Sequence, residues 1–196
     1  SNVQILITVF ALIGGLFQLV FLWNFIHSMF YGKKANYDFS NTVMDTHVKP
    51  YKTFIKEGVK IGVFGLGIEL EGLVTKEAYK ETKYLDPVTI AQEMSRVLKT
   101  EEKCDLIICL SHLGYDYKKS PSKISDLKLA KATQDIDLII GGHTHTFLDE
   151  PTIETNAAGK EVLVNQVGCY GLYMGKIDFY FEANELKESV GSKLAV

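Results

Sequence analysis

Apolar residues run almost unbroken through the first part of the chain. Ile5 to Trp23 (ILITVFALIGGLFQLVFLW) is interrupted only by Thr8, Gln18 and Gly14–Gly15, and no Asp, Glu, Lys or Arg precedes Lys33. About 20 apolar residues suffice to cross a bilayer as a helix, so residues 5–31 read as a candidate membrane span. Lys33 and Lys34 would then mark the cytoplasmic flank. A secretory signal peptide fits less well, because no basic region leads the run and no small-x-small cleavage site follows it. A buried hairpin, a core helix and a segment foreign to the fold are further readings of the same stretch.

From Asn36 the pattern becomes that of a globular domain. Thr53 to Gly58 reads as a strand ending in a hairpin turn, and Val59 to Leu66 as its partner. Gly62, Gly65 and Gly67 mark close backbone approach there; no helix follows at the spacing a dinucleotide fingerprint needs. Asp86-Pro87 starts a helix with Val88, Ala91, Met94, Val97 and Leu98 on one face. Cys104 to Leu110 is a continuous apolar run apart from Asp105, the mark of a strand covered on both faces, and Ile136 to Ile140 reads as the next buried strand. Ser125 to Thr133 is a short helix between them, with Leu127, Leu129 and Ala130 apolar. Asn156 to Gly159 is a turn, Glu161 to Val167 a strand, and Leu172 to Phe181 a strand with Phe179, Tyr180 and Phe181 in the sheet core. The order β-β-α-β-α-β-β-β predicts an α/β fold with a mixed sheet or two packed sheets. The polar residues from Glu182 onward are expected to fray. Lys76 to Lys83 reads as a solvated, charged face.

Composition narrows this picture. The chain has 196 residues, enough for one domain with its own core, and a net charge of −3. No basic field exists, which argues against nucleic acid as a partner. All 21 basic and 24 acidic side chains lie from Lys33 onward. Cys104, Cys109 and Cys169 form neither a disulfide framework nor a C-x-x-C zinc motif; Cys104 and Cys109 read as small buried hydrophobes.

The chemistry concentrates at two strand ends. Asp137-Leu-Ile-Ile-Gly-Gly-His143-Thr-His145 runs from a buried strand into two glycines and two imidazoles. Cys104-Asp-Leu-Ile-Ile-Cys-Leu-Ser-His112-Leu-Gly114 repeats the strand-then-histidine pattern upstream. In open α/β sheets, ligands bind beyond the carboxyl ends of the strands. His112, His143 and His145 are therefore the candidate metal ligands. The plainer alternative is loop histidines bonded to backbone, with Ser111 merely capping a turn. His47, in a polar stretch before Pro50, reads as a solvated surface residue, and Asp45-Thr-His47 as a chance Asp-x-His.

Ser111-His-Leu-Gly114, Gly142-His-Thr-His145, Val162-Leu-Val-Asn-Gln166 and Gly175-Lys-Ile-Asp178 together resemble the second half of the 5′-nucleotidase catalytic domain, in the calcineurin-like metallophosphoesterase superfamily. The resemblance begins near Asn36 and runs to about Phe181. It implies an αββα-type sandwich, N-terminally truncated, behind an apolar N-terminal segment. The implied division is an apolar leader at 1–35, a partial metallophosphoesterase domain at 36–182 and a polar tail at 183–196. It also implies a two-metal site, with His112 and His143 on one divalent ion and His145 on the other. Zinc, manganese, iron or cobalt suits such imidazole ligands. The implied activity is hydrolysis of nucleotides or other phosphomonoesters.

The family's first-half motifs have no match before Asn36, where the chain holds no Asp or Glu. Without the bridging carboxylate and the Asn-His-Asp motif, at most one ion and little or no activity are expected. Gln4 to Val9 can be encoded so that a shifted frame reads Asp-Phe-Asp-Asn-Gly, which would make residues 1–35 an out-of-frame product. The alternative function is a non-catalytic metal-binding fragment, or an interaction fragment tethered to a membrane through residues 5–31. The resemblance implies a periplasmic or cell-surface location, with a membrane anchor if the leader is genuine. The family's nucleobase-binding domain would follow this chain's last residue, so substrate identity and oligomeric state are not written here.

Overall fold

The computed structural model describes residues 3–5, 37–38, 49–80, 82–183 and 185–195. The apolar leader beyond Ile5, His27 and the Asp45–His47 triplet lie outside the described residues. The strands are β1 (Val3–Ile5), β2 (Tyr37–Asp38), β3 (Tyr51–Lys56), β4 (Val59–Leu66), β5 (Lys83–Tyr84), β6 (Leu106–Ser111), β7 (Leu138–Ile140), β8 (Thr152–Thr155), β9 (Glu161–Asn165), β10 (Tyr173–Glu182) and β11 (Glu185–Ala195). The helices are α1 (Lys76–Tyr79), α2 (Pro87–Thr100) and α3 (Asp126–Ala132).

Six strands form the central sheet, in the order β3-β4-β6-β7-β9-β8. The inner four, β4, β6, β7 and β9, are mutually parallel, and β3 and β8 pair antiparallel at the two edges. Parallel neighbours need crossovers, and α2 and α3 supply them between β4 and β6 and between β6 and β7. Asp86 caps α2 by accepting from Thr89 N, and Ser125 caps α3 by accepting from Lys128 N.

Alternate residues of the central strands divide between two cores, as the period of a strand requires. Ile107, Cys109, Ile139, Val162 and Val164 face Ala91 and Leu98 of α2 and Leu129 and Ala130 of α3. Leu106, Ile108, Leu138 and Leu163 face Ile177, Phe179 and Phe181 of β10. The described layers therefore run helices, six-stranded sheet, second sheet. That second sheet has the order β1-β10-β11, and this architecture agrees with the α/β sandwich the motifs imply.

Two local features follow from glycines. The β3–β4 hairpin turns through Glu57 and Gly58, both at positive φ (51° and 88°), the conformation that matches strand twist in a two-residue loop. Gly62 lies under α2, where an added Cβ would come within 2.8 Å of a Leu98 methyl and 2.9 Å of Cys104 Sγ. The polar residues after Glu182 do not behave as the sequence suggests. Residues 185–195 pair with β10 along its length, because backbone bonding to an anchored neighbour does not require an apolar strand. A small second pairing joins β2 to β5.

Candidate metal centre

Parallel alignment brings the carboxyl ends of β6, β7 and β9 to one edge of the central sheet. His112 follows β6 directly and is held by its own N–H, which donates to Leu66 O at 2.8 Å. Gly141, Gly142 and His143 follow β7, and Gln166 follows β9. The His112 and His143 rings meet edge to face, with centroids 5.3 Å apart.

Both glycines before His143 are demanded by close neighbours. The buried Asp126 carboxylate occupies the place of a Cβ at Gly141, and the His112 ring lies 2.8 Å (Nδ1) from the place of one at Gly142. Asp126 also receives a hydrogen bond from Ser111 Oγ at 2.5 Å, and its N–H donates to Gly114 O at 2.8 Å. It thereby ties the Ser111–Gly114 turn to the Gly141–His143 turn. Its second carboxylate oxygen, Oδ2, is buried and has no hydrogen-bond partner among the described residues.

The histidine loop itself is wound tightly. His143 and His145 both sit at positive φ, 69° and 52°. Non-glycine residues adopt that region rarely and at some cost, so surrounding contacts must impose it. Gln166 imposes much of it. Its Nε2 donates to Gly142 O at 2.7 Å, and its Oε1 accepts from Thr144 Oγ1 at 3.2 Å and from Thr146 N. Thr144 Oγ1 in turn accepts from Tyr115 N at 2.9 Å. Gln166 is 4% exposed, so water does not compete for these bonds.

Burial and neighbouring charge favour the neutral forms of His112 and His143. Burial, reinforced by His143 and His145, lowers the His112 pKa to about 4. Burial, then the Lys123 ammonium and His145, lowers that of His143. A neutral imidazole offers one nitrogen lone pair, which is the form a metal ligand requires.

The spacing of the pair can be checked against an ion. A nitrogen–metal bond of about 2.1 Å puts an ion ~3.2 Å from each ring centroid, so two imidazoles on tetrahedral directions stand ~5.2 Å apart. The observed centroid separation is 5.3 Å, with the rings 71° apart. His145 is exposed, and its ring meets that of Tyr170 edge-on at 6.4 Å. Among the described residues, no group of three or more His, Cys, Asp or Glu side chains is arranged to hold an ion. His112 and His143 are the two described side chains at this edge that could hold an ion.

Reasoning from sequence placed His112 and His143 at strand ends and missed the residues that hold them. In the sequence Gln166 lies within a motif without a role of its own, and Asp126 falls inside the Ser125 to Thr133 helix with nothing to single it out. A polar amide directly after a buried parallel strand, at the same sheet edge as two histidines, was the available signal for Gln166.

No protein-family model matches the chain. Among curated proteins, it is 34% identical over 149 residues to the trifunctional nucleotide phosphoesterase YfkN of Bacillus subtilis, a match covering 76% of this chain and 9% of that protein. It is 31% identical to a 5′-nucleotidase of Vibrio parahaemolyticus, covering 70% of this chain and 28% of that enzyme. Among solved structures, a 5′-nucleotidase precursor from Thermus thermophilus matches with a TM-score of 0.68 and 30% identity, over 83% of this chain and 33% of that one. The calcineurin-like phosphoesterase YfkN from Bacillus subtilis matches with a TM-score of 0.54 and 26% identity, over 74% of this chain and 49% of that one. The chain thus spans less than a third of the length of these two curated relatives. Motifs, fold and relatives converge: the chain belongs to the 5′-nucleotidase family of calcineurin-like phosphoesterases, which it represents over part of the catalytic domain.

Proposed function

We propose that residues 36–182 are part of a metal-dependent hydrolase of nucleotide or related phosphomonoesters, weak or inactive as this chain stands. The supporting observation is the pair of neutral imidazoles, His112 and His143, 5.3 Å apart at the carboxyl edge of the sheet. These two would hold one transition ion, and His145, on the same turn, would face a second position. Bound divalent ions supply a nucleophilic hydroxide at neutral pH and offset charge on phosphate oxygens. The residues of the chain position and orient. Gln166 and Asp126 hold the two histidine turns in register, and the Lys123 ammonium adds positive field beside His143.

Weakness follows from the donor count. A two-ion site needs a carboxylate shared between the ions, and no Asp or Glu precedes Asn36. The expected result is one Co²⁺ bound per chain, lost in His112→Ala and in His143→Ala, with little turnover of an aryl phosphate in Mn²⁺ or Co²⁺. Robust hydrolysis abolished by His143→Ala would overturn the claim of weakness. Absence of Co²⁺ binding would overturn the site.

The same two-imidazole set favours a second reading, a non-catalytic metal-binding fragment, which would bind Co²⁺ at full stoichiometry without hydrolysing anything. Family membership supports a periplasmic or cell-surface location, and residues 5–31 support a membrane tether. Among the described residues, no helix is long and apolar enough to cross a membrane. Solubility of the whole chain without detergent would argue against the tether.

A further inference from the structure

A strand at the edge of a sheet offers unpaired N–H and C=O groups to any second chain, and natural sheets guard their edges with lysine, proline, bulges or short strands. The central sheet does so on both sides. β3 carries Lys52 and Lys56 exposed along its length, and β8 is four residues long and follows Pro151.

β11 is guarded differently. It runs for 11 residues, pairs with β10 on one side, and has no strand on the other among the described residues. Its bulge falls at Leu186 to Glu188, ahead of the stretch Ser189 to Ala195. The one charged side chain in that stretch is Lys193, and it is already engaged. Its Nζ stands 2.5 Å from Asp149 Oδ1 and 4.1 Å from the centre of the Tyr173 ring. Ser189, Gly191 and Lys193 are half-buried and lie on the face turned to the central sheet, as their partners Phe179 and Ile177 do. Val190, Ser192 and Leu194 are exposed on the opposite face, Val190 by 46% and Leu194 by 41%. Residues 189–195 are therefore an edge with no free charge and two exposed apolar side chains.

The same stretch is complementary to itself. A second copy meeting it antiparallel about a two-fold axis keeps exposed residues opposite exposed ones. An axis at Ser189 or Gly191 sets Glu188 against Val190 or Leu194, one at Val190 brings Lys187 towards Lys193, and one at Lys193 opposes two lysines. An axis at Ser192 opposes Val190 to Leu194 twice and Ser192 to itself, with no like charges facing. Apolar cross-strand pairs of that kind stabilise a sheet, and like charges directly opposite destabilise it.

We propose that β11 is a docking edge for a second copy of this chain, paired antiparallel about Ser192, so that two three-stranded sheets join into one. The pairing does not depend on the function proposed above.

Sedimentation velocity on the whole chain should show a dimer whose fraction rises with concentration. Ser192→Lys and Ser192→Glu each place like charges opposite one another at the axis, and each should weaken dimerisation roughly tenfold. Mixed in equal amounts, the two variants should associate again, because Lys then faces Glu. Both should keep the parent's circular dichroism, since Ser192 is exposed and its neighbour across the strand, Lys176, is held by Asp178 at 2.5 Å. Phe54→Lys, on the exposed edge β3, should leave the dimer unchanged. A parent that stays monomeric overturns the proposal. So does association that Ser192→Lys leaves intact, the result expected if the apolar residues 5–31 drove it, and so does a mixture of the two charged variants that stays monomeric.

Discussion

Gln166 carries more of the candidate site than any residue that would touch an ion. One buried amide meets three groups of a five-residue turn whose two histidines both have positive φ. Gln166→Ala removes the acceptor of Thr146 N and leaves Gly142 O with the Thr144 N–H alone, a loss of about 1–3 kcal/mol. The expected outcome is a lower thermal midpoint together with weaker Co²⁺ binding; Gln166→Glu, which keeps the acceptor but not the donor, should recover part of both. An unchanged Co²⁺ titration in Gln166→Ala would show that the turn holds its shape without the clamp. Asp126 makes a second prediction at this scale. Burial pushes its carboxyl up to about 7 from an ordinary 3.8, against the opposing bond from Ser111. The folded chain therefore keeps a proton that the unfolded chain releases, and stability falls as pH rises from near 3.8 to about 7. The ceiling on that loss is ~4 kcal/mol, at 1.36 kcal/mol per unit. Asp126→Asn keeps an acceptor for Ser111 and removes the slope, so its melting temperature should gain on the parent's between pH 4 and pH 8. His112, lowered to about 4, acts the other way, costing stability as pH drops from 6.5. That contribution is common to both proteins and cancels in their difference. Parallel melting curves at every pH would contradict the assignment.

At the scale of elements, the sheet was written plainly where strands are buried on both faces. Runs such as Leu106–Cys109 and Leu138–Ile139 have no room for polar residues, so their pattern announces them. Edge strands carry no such mark. Thr152 to Thr155 alternates exposed and half-buried and offers no apolar run, yet β8 pairs with β9. Leu110 shows the converse: it closes an apolar run and stays 48% exposed although strands pair with it on both sides. Helices α2 and α3 were legible from caps and spacing, although Ser95 shares the buried face of α2 with Ala91 and Leu98. The glycine at 62 tests the packing of α2 on the sheet. Gly62→Ala forces Leu98 or Cys104 Sγ to move and should cost about 1–3 kcal/mol in a denaturant titration. Combining it with Leu98→Ala should reduce that cost, since the clashing methyl is gone; an additive pair would place the strain elsewhere.

For the molecule as a whole, the decisive fact is which strand ends share an edge. The order β6-β7-β9 aligns three carboxyl ends from chain segments more than twenty residues apart, and these deliver His112, His143 and Gln166 together. Wild-type chain stripped of metal should therefore be folded, because the histidine pair sits on strands packed into both cores rather than on a metal-dependent knot. Circular dichroism in EDTA should show the same melt as in buffer; collapse on chelation would show that an ion holds the fold. The local pattern by itself determined the buried strands, the two capped helices, the Glu57–Gly58 turn and the strand-then-histidine segments, because burial, capping and turn geometry act on neighbours in the chain. Only the tertiary structure decided that two imidazoles stand 5.3 Å apart, that Gln166 and Asp126 brace them, and that the polar residues 185–195 form a strand. Those outcomes depend on the order of strands and on partners distant in sequence, to which hydrophobic periodicity is blind.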